Sequence, residues 1–420
     1  MTLNHPPTEA TAAVTTTATP TSRLDRVRPR AQHLLVVISA VIGVIGVLML
    51  WAGPVQGTAR VRTDTVQYTQ RAYELAGDDK ATASDKAVRF VCDDEVDYTG
   101  VPRAQCELGA YGVLGFPPQY QAIFRARPGL PALMSVFIRL FGDQGIYLAI
   151  LLLQVATGVL MALTARALGL PGLWPLAAEA AYFLLPCGDV GTRVMSEAAS
   201  APGLAALQYA AALMVRNSQR NGAVTTAIVA FAWLFAVRAA DATLAAAFLL
   251  IVGAGAWVTG RRRRRAEPQA HMQRAHMPWA MPVAVVSGAS LAVMVAISAA
   301  LSWPTVNQGV ADIMTDHFTQ PVTSDMYIRF LHAEFRFWRA FLPMIAGGAY
   351  LVVLAALGLW GVARWLRGWS AAVFLALPAV GAASLALHPG DWARMLAPMW
   401  IVVAIGLPLL AVARDDRRLA

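Results

Sequence analysis

The sequence predicts an all-α, polytopic transmembrane protein of about ten spans. Three observations carry this. Of 420 residues, 57% are hydrophobic and only 14% are charged, against roughly a quarter charged in a soluble domain. Mean hydropathy is +0.52, so too little polar surface remains to enclose a water-soluble core of this size. The apolar residues also gather into runs long enough, or nearly so, to cross about 30 Å of hydrocarbon.

The first 33 residues stand apart as an expected cytoplasmic, disordered N-terminus. Met1 to Ser22 is rich in Thr, Pro and Ala, a composition that buries too little to fold. Arg23, Arg26, Arg28 and Arg30 follow, with no Lys among them, and then the apolar run from Leu34. That run is longer than a secretory h-region and lacks a clear small-residue cleavage site, so it reads as a retained first span. Residues 34–420 read as one membrane domain. Its spans fall near 34–52, 144–165, 169–186, 198–215, 222–237, 242–259, 279–301, 341–361, 370–387 and 395–413. The fifth and sixth are short and share a charged turn.

Arginine placement orients these spans. The N-terminal basic stretch, Arg166, Arg216 with Arg220, Arg261 to Arg265, Arg364 with Arg367, and Arg414, Arg417 and Arg418 all fall at one side. This is the positive-inside pattern, with both termini cytoplasmic in a multi-pass bacterial plasma-membrane protein. The formal net charge of +9 is thereby spent on topology. Nucleic acid is excluded as a partner, because the arginines sit in short segments between apolar runs. Arg261 to Arg265 reads as a topology anchor ahead of an acidic-lipid patch.

Two large segments remain outside, 53–143 and 302–340. The first is acidic around Asp93, Asp94, Glu95 and Asp97, and holds Cys92 and Cys106 14 positions apart. An oxidising exported side favours a disulfide there; two free thiols are the alternative. In the second, residues 326–340 place Ile328, Leu331, Phe335 and Trp338 at helical spacing with Arg329, Arg336 and Arg339 beside them. Such a helix lies in the headgroup plane, next to membrane lipids. Residues 131–141 show a similar pattern before the second span. No internal or inverted repeat is visible.

Charged residues near hydrocarbon are costly and mark function. Asp64 lies beyond the first span, with Tyr68 one helical turn on. A carboxylate there can accept a proton from an acceptor hydroxyl; a helix N-cap or a solvated loop acid is the plain reading. The third and fourth spans join through GDVGTRVMSEAAS, which puts Arg193, Ser196 and Glu197 in one junction. Arg193 and Glu197 either pair with each other or meet a phosphate and a hydroxyl. Arg238 and Asp241 make a similar junction, with a helix-capping salt bridge as the plain reading. The last outward turn, HPGDWARMLAPMW, crowds His388, Asp391 and Arg394 around Pro389 and Gly390. Arg394 then lies near the start of the tenth span, where free amides favour an anion.

These elements resemble the GT-C superfamily of integral-membrane glycosyltransferases, in its bacterial branch related to aminoarabinose and protein mannosyl transferases. The likeness rests on Asp64 with Tyr68, the FRARPGLPAL stretch from Phe124 to Leu133, RVMSE from Arg193 to Glu197, and HPGDWARMLAP. The resemblance implies a polyprenyl-phosphate-linked sugar donor and inverting transfer to a lipid or cell-envelope glycan acceptor. It implies a catalytic role for Asp64, with Glu197 assisting, and donor-phosphate binding by Arg193, Arg238, His388 and Arg394. Tyr68, Ser196, Asp241 and Asp391 would support the acceptor. Two departures stand out. Asp64 is followed by Thr65, not by a second acid, and no sizeable C-terminal soluble segment follows the tenth span. A divalent metal stays open, since no His/Asp spacing selects one. The alternative is a transporter or flippase of an anionic lipid-linked substrate, which would use the same arginines without a base. The Ala, Arg and Gly usage matches a GC-rich actinobacterial genome, by composition alone.

Overall fold

The computed structural model describes residues 23–52, 60–61, 64–216, 219–266, 277–390 and 392–412. Every regular element among them is a helix. The first, α1 (Arg23–Ala52), is membrane-crossing in length and apolarity from Gln32. Residues 23–33, read above as part of the disordered tail, therefore begin the helix. Arginine is a good helix former, and the span downstream supplies the nucleus. Residues 1–22 lie outside the described residues.

Five short helices form an outer assembly: α2 (Thr65–Ala76), α3 (Lys80–Thr99), α4 (Arg103–Leu114), α5 (Pro118–Arg125) and α6 (Gly129–Phe141). Turn formers keep them short. Gly77 and Gly100 adopt positive φ at the ends of α2 and α3, a region open to glycine. Pro102, Pro117 and Pro128 stand immediately before α4, α5 and α6. Asp79 caps α3 by accepting from the Ala81 and Thr82 amides. Cys92 and Cys106 are joined as a disulfide between α3 and α4, with Cα atoms 5.7 Å apart. Closing a loop of this length stabilises by about 3 kcal/mol in the chain-entropy account. Cys92→Ala with Cys106→Ala should therefore lower the thermal midpoint of the oxidised protein to that of the reduced parent. A midpoint equal to the oxidised parent's would show that the bond contributes nothing.

The membrane body starts with α7 (Gln144–Ala167), α8 (Trp174–Leu184), α9 (Pro186–Gly191), α10 (Ser196–Val215), α11 (Arg220–Ala266) and α12 (Ala280–Ala300). A second outer pair follows, α13 (Val306–Met314) and α14 (Met326–Gly347). The chain closes with α15 (Ala349–Leu366), α16 (Gly368–Leu387), α17 (Trp392–Met395) and α18 (Ala397–Ala411). Seven helices among the described residues are long and apolar enough to cross a membrane: α1, α7, α10, α11, α12, α15 and α16. This is an all-helical, multi-pass membrane protein.

Five of the expected spans need correction. The third is the 11-residue α8, because Leu170 to Leu173 stay in a turn at Pro171 and Gly172. The eighth begins at Ala349, since α14 runs on to Gly347 before Gly348 breaks it. The tenth is split into α17 and the 15-residue α18. The fifth and sixth have no loop between them: α11 is helical throughout its 47 residues except at Arg238, with φ −158° and ψ 75°. Ala227 and Leu249 lie on opposite sides of that break yet line one cavity together with Met214 and Val283. A straight helix would hold them about 33 Å apart at 1.5 Å per residue. The chain therefore doubles back at Arg238.

Burial is inverted at the periphery, as lipid requires. Only 17% of the apolar window of α1, α12 and α15 is buried, against 78% for α10. The exposed side chains, such as Val37, Ile45, Val285 and Val353, are apolar. α10 is thus the central helix, and whatever its first turn carries is held rigidly. Glycine permits the closest helix contact: a Cβ on Gly406 of α18 would collide with the Gly358 carbonyl of α15.

The two ends of the bundle differ. At one, Arg216 donates to the Leu168 carbonyl, which also accepts from Trp365 Nε1 at 3.1 Å. This joins the arginine-bearing ends of α7, α10 and α15. At the other, Val194, Ala198 and Val237 share a core with Val66, Tyr68, Leu130 and Met134 of the outer assembly. The charged residues of distant turns meet at this second end.

Candidate functional site

Glu197 is the centre of that meeting. It lies in the first turn of α10 and is 3% exposed. Arg238 Nη1 donates to Glu197 Oε1 at 2.6 Å, and Arg394 Nε donates to the same oxygen at 2.9 Å. Ser196 Oγ donates to the other oxygen at 3.2 Å. The reversal of α11 delivers Arg238, whose Nε also meets Asp241 Oδ2 at 3.0 Å. Ser384 of α16 in turn donates to Asp241 at 3.3 Å. The remaining Arg238 nitrogen, Nη2, faces the Met395 thioether at 3.4 Å, a weak acceptor. Arg394, on α17, extends the chain outward: its Nη2 meets Asp64 Oδ2 at 3.1 Å. Asp64, Arg394, Glu197, Arg238, Asp241 and Ser384 thus form one continuous ionic and hydrogen-bonded chain. Buried ion pairs are weak evidence for stability, but such a chain fixes geometry.

The first-loop acid is fixed by backbone pairing. The Val194 amide donates to the Arg60 carbonyl at 2.9 Å, and Thr65 Oγ1 donates to the Val194 carbonyl at 2.9 Å. These bonds tie the start of α2 to the segment that leads into α10. Asp64 stands at the N-cap position of α2, but its backbone is αR and its side chain makes no capping bond. The plain N-cap reading is replaced by the contact with Arg394. Tyr68, one turn on, is fully buried. Its ring meets Phe124 edge-on at 5.2 Å, and its hydroxyl accepts from Arg127 Nη1 at 3.0 Å.

Arg127 is the member that sequence reasoning missed, although it lies inside the FRARPGLPAL stretch. Gly129 explains its position. A Cβ there would lie 2.6 Å from the Val237 side chain and 3.2 Å from the Ala236 carbonyl oxygen. Glycine therefore lets α6 begin against the break in α11. Among the described residues the hydrogen-bond partner of Arg127 is the Tyr68 hydroxyl and not a carboxylate. Asp64 and Glu197 are nonetheless within electrostatic reach of it.

Other expectations change. Arg193 does not pair with Glu197; its Nη2 meets Asp189 Oδ2 at 2.5 Å. Residues 192–195 are non-helical, so the i, i+4 geometry needed to reach Glu197 does not exist. Among the described residues Arg193 Nε is buried without a hydrogen-bond partner. Asp391 lies outside the described residues. His388 ends α16, close to Gly309 of α13. Burial, reinforced by Arg238, Arg127 and Arg394, lowers its pKa from 6.5 to about 4. At neutral pH it is an uncharged hydrogen-bonding group, so the positive charge expected there from both Arg394 and His388 comes from arginine and not from His388.

A pH dependence follows. The native state holds His388 neutral while the unfolded chain binds a proton near 6.5, so its contribution is complete above that pH. It is lost as pH falls from 6.5 towards about 4. His388→Gln should flatten thermal stability across that window; an unchanged slope would show that another group governs it.

The second outer segment also reaches the site. Asp312 of α13 is within electrostatic reach of Asp64 and Arg127, and burial raises its pKa. His317 Nδ1 lies 3.1 Å from Asp312 Oδ1. The His317 ring packs against Tyr120 of α5 at 4.7 Å. No motif flagged these residues, since a lone Asp and a lone His in a loop carry no spacing signal. Among the described residues no three His, Cys, Asp or Glu side chains are grouped to hold a metal ion. Asp64 and Glu197 are engaged by arginine instead. No protein-family model, curated protein or solved structure matches the chain.

Proposed function

We propose that this chain is an inverting glycosyltransferase of the GT-C type. It transfers a sugar from a polyprenyl-phosphate donor to a lipid or cell-envelope glycan acceptor on the extracytoplasmic face of a bacterial plasma membrane. In this reading the chain crosses ten times, with both termini cytoplasmic. One observation carries it: a first-loop carboxylate and three arginines, Arg127, Arg238 and Arg394, converge at one end of an apolar helical bundle.

The chemistry assigns the roles. The acceptor hydroxyl gives its proton to Asp64 and its oxygen bonds to the anomeric carbon. The bond from that carbon to the phosphate oxygen breaks, and the electron pair leaves on the polyprenyl phosphate. Charge builds on the leaving phosphate, where preorganised cations lower the barrier most. Among the described residues Arg127 has no carboxylate as a hydrogen-bond partner, and Arg238 Nη2 meets a thioether. Both are suited to accept phosphate oxygens. Glu197 positions Arg238 and Arg394, and Tyr68 positions Arg127.

A transporter of the same lipid-linked anion would use the arginines but would not require Asp64. The test is transfer by the purified protein from a panel of polyprenyl-phosphate sugars, with the parent compared with Asp64→Asn and Arg394→Ala. Radiolabel should move to acceptor with the parent and fall sharply in both variants. Transfer undiminished in both would overturn the roles, and no transfer from any donor beside intact donor binding would favour transport.

A further inference from the structure

Helix α14 carries a surface the proposed chemistry does not use. Its 22 residues present three strips. Met326, Phe330 and Phe341 are buried against the protein. Leu331, Phe335, Trp338 and Leu342 recur at three- and four-residue steps and are exposed, at 64%, 69%, 38% and 64%. On the remaining strip Arg329, His332, Arg336 and Arg339 repeat at the same steps and are also exposed.

Among the described residues the charges on this strip are not used up. Arg329 donates to Thr323 Oγ1 at 3.4 Å, and Asp325 is within electrostatic reach of it. Glu334, the helix's own acid, accepts instead from Trp338 Nε1 at 2.8 Å. The location adds to the argument. α14 ends one residue before the spanning helix α15, so it lies at the boundary of the hydrocarbon. Phe341 also approaches Trp392 of α17 at 6.1 Å, two residues before Arg394. The strip thus stands at the end of the bundle that carries the site. Basic residues there run against the positive-inside bias and need a different partner.

We infer that α14 is a docking surface for anionic phospholipid headgroups of the bilayer itself. The apolar strip enters the acyl boundary, and the three arginines take phosphate oxygens beside it. Each arginine near an anionic surface favours the bound state by roughly fivefold. The inference stands whether or not the chain transfers sugar.

Hydrogen exchange on the full chain tests it, in nanodiscs of phosphatidylcholine with and without phosphatidylglycerol. Amides of 326–347 in the parent should exchange several-fold more slowly when phosphatidylglycerol is present. The triple variant R329Q/R336Q/R339Q should lose that difference, while R329K/R336K/R339K should keep most of it. Peptides ending at Arg261 to Arg263 should respond alike in all three proteins. Equal exchange of α14 in the two lipids, or a difference retained in the glutamine variant, would overturn the inference. If the glutamine variant does not fold, raised salt on the parent decides the same question: protection that survives screening is not headgroup binding.

Discussion

Glu197→Ala should cost roughly 3–5 kcal/mol of stability, the usual penalty for breaking a buried ion pair from one side. Two guanidiniums donate to Glu197 Oε1, and the carboxylate is 3% exposed. Alanine leaves both cations among apolar helices with part of their pairing gone. Asp241 and Asp64 each retain one of them, so the loss is large but not catastrophic. Glu197→Gln should sit between, because an amide oxygen keeps a hydrogen bond but not the charge. Thermal unfolding in detergent reads the order: parent, glutamine, alanine. Coupling gives a second reading. Arg394→Ala in the Glu197→Ala background should cost less than in the parent, since the shared contact is already gone. Equal stability of parent and Glu197→Ala would mean that the ion-pair chain does not organise this end of the bundle.

The membrane architecture was legible because hydropathy reports directly on what each helix faces. The central site was partly legible for a related reason. Glu197, Arg238 and Arg394 are charges set in or beside apolar runs, where their cost makes each conspicuous. What the sequence did not hold was pairing. Arg193 sits four residues before Glu197, and spacing alone suggests a bond; the non-helical segment 192–195 cancels it and turns Arg193 to Asp189. Arg127 was silent because an arginine between helices looks like any solvated loop residue. Its meaning comes from Gly129, whose missing Cβ lets α6 abut Ala236 and Val237. Asp312 and His317 were silent because no local pattern says which loop covers which turn. The reversal at Arg238 was legible as the charged turn between the fifth and sixth spans; what stayed hidden is that one residue makes it, since Ala239 to Asp241 resume the helix at once.

Asp64→Asn should reduce turnover by a factor of about 10²–10⁴, the range for loss of a positioned general base, with no rise in the donor's KM and a fall where the phosphate gains Arg394. The change is nearly isosteric. It removes one partly exposed ion pair, worth about 1 kcal/mol or less, so the fold should survive and the defect should be chemical. Arg127→Gln should raise the donor's KM as well as lower turnover, since the same contact serves the leaving phosphate. Loss of a charge-assisted hydrogen bond to phosphate, about 1.5–3 kcal/mol, weakens donor binding by roughly ten- to a hundredfold. The two variants therefore separate proton acceptance from anion binding within a single pocket. The contact between Asp64 and Arg394 sharpens the comparison. A carboxylate oxygen bonded to a guanidinium is not open to an acceptor hydroxyl, and a phosphate arriving at Arg394 competes for that cation. Donor binding should thus release Asp64 for the acceptor, which makes the order of addition donor first. Product-inhibition patterns report that order. If Asp64→Asn and Arg127→Gln raise KM alike and spare kcat, Asp64 is a binding residue and the base lies elsewhere in the pocket.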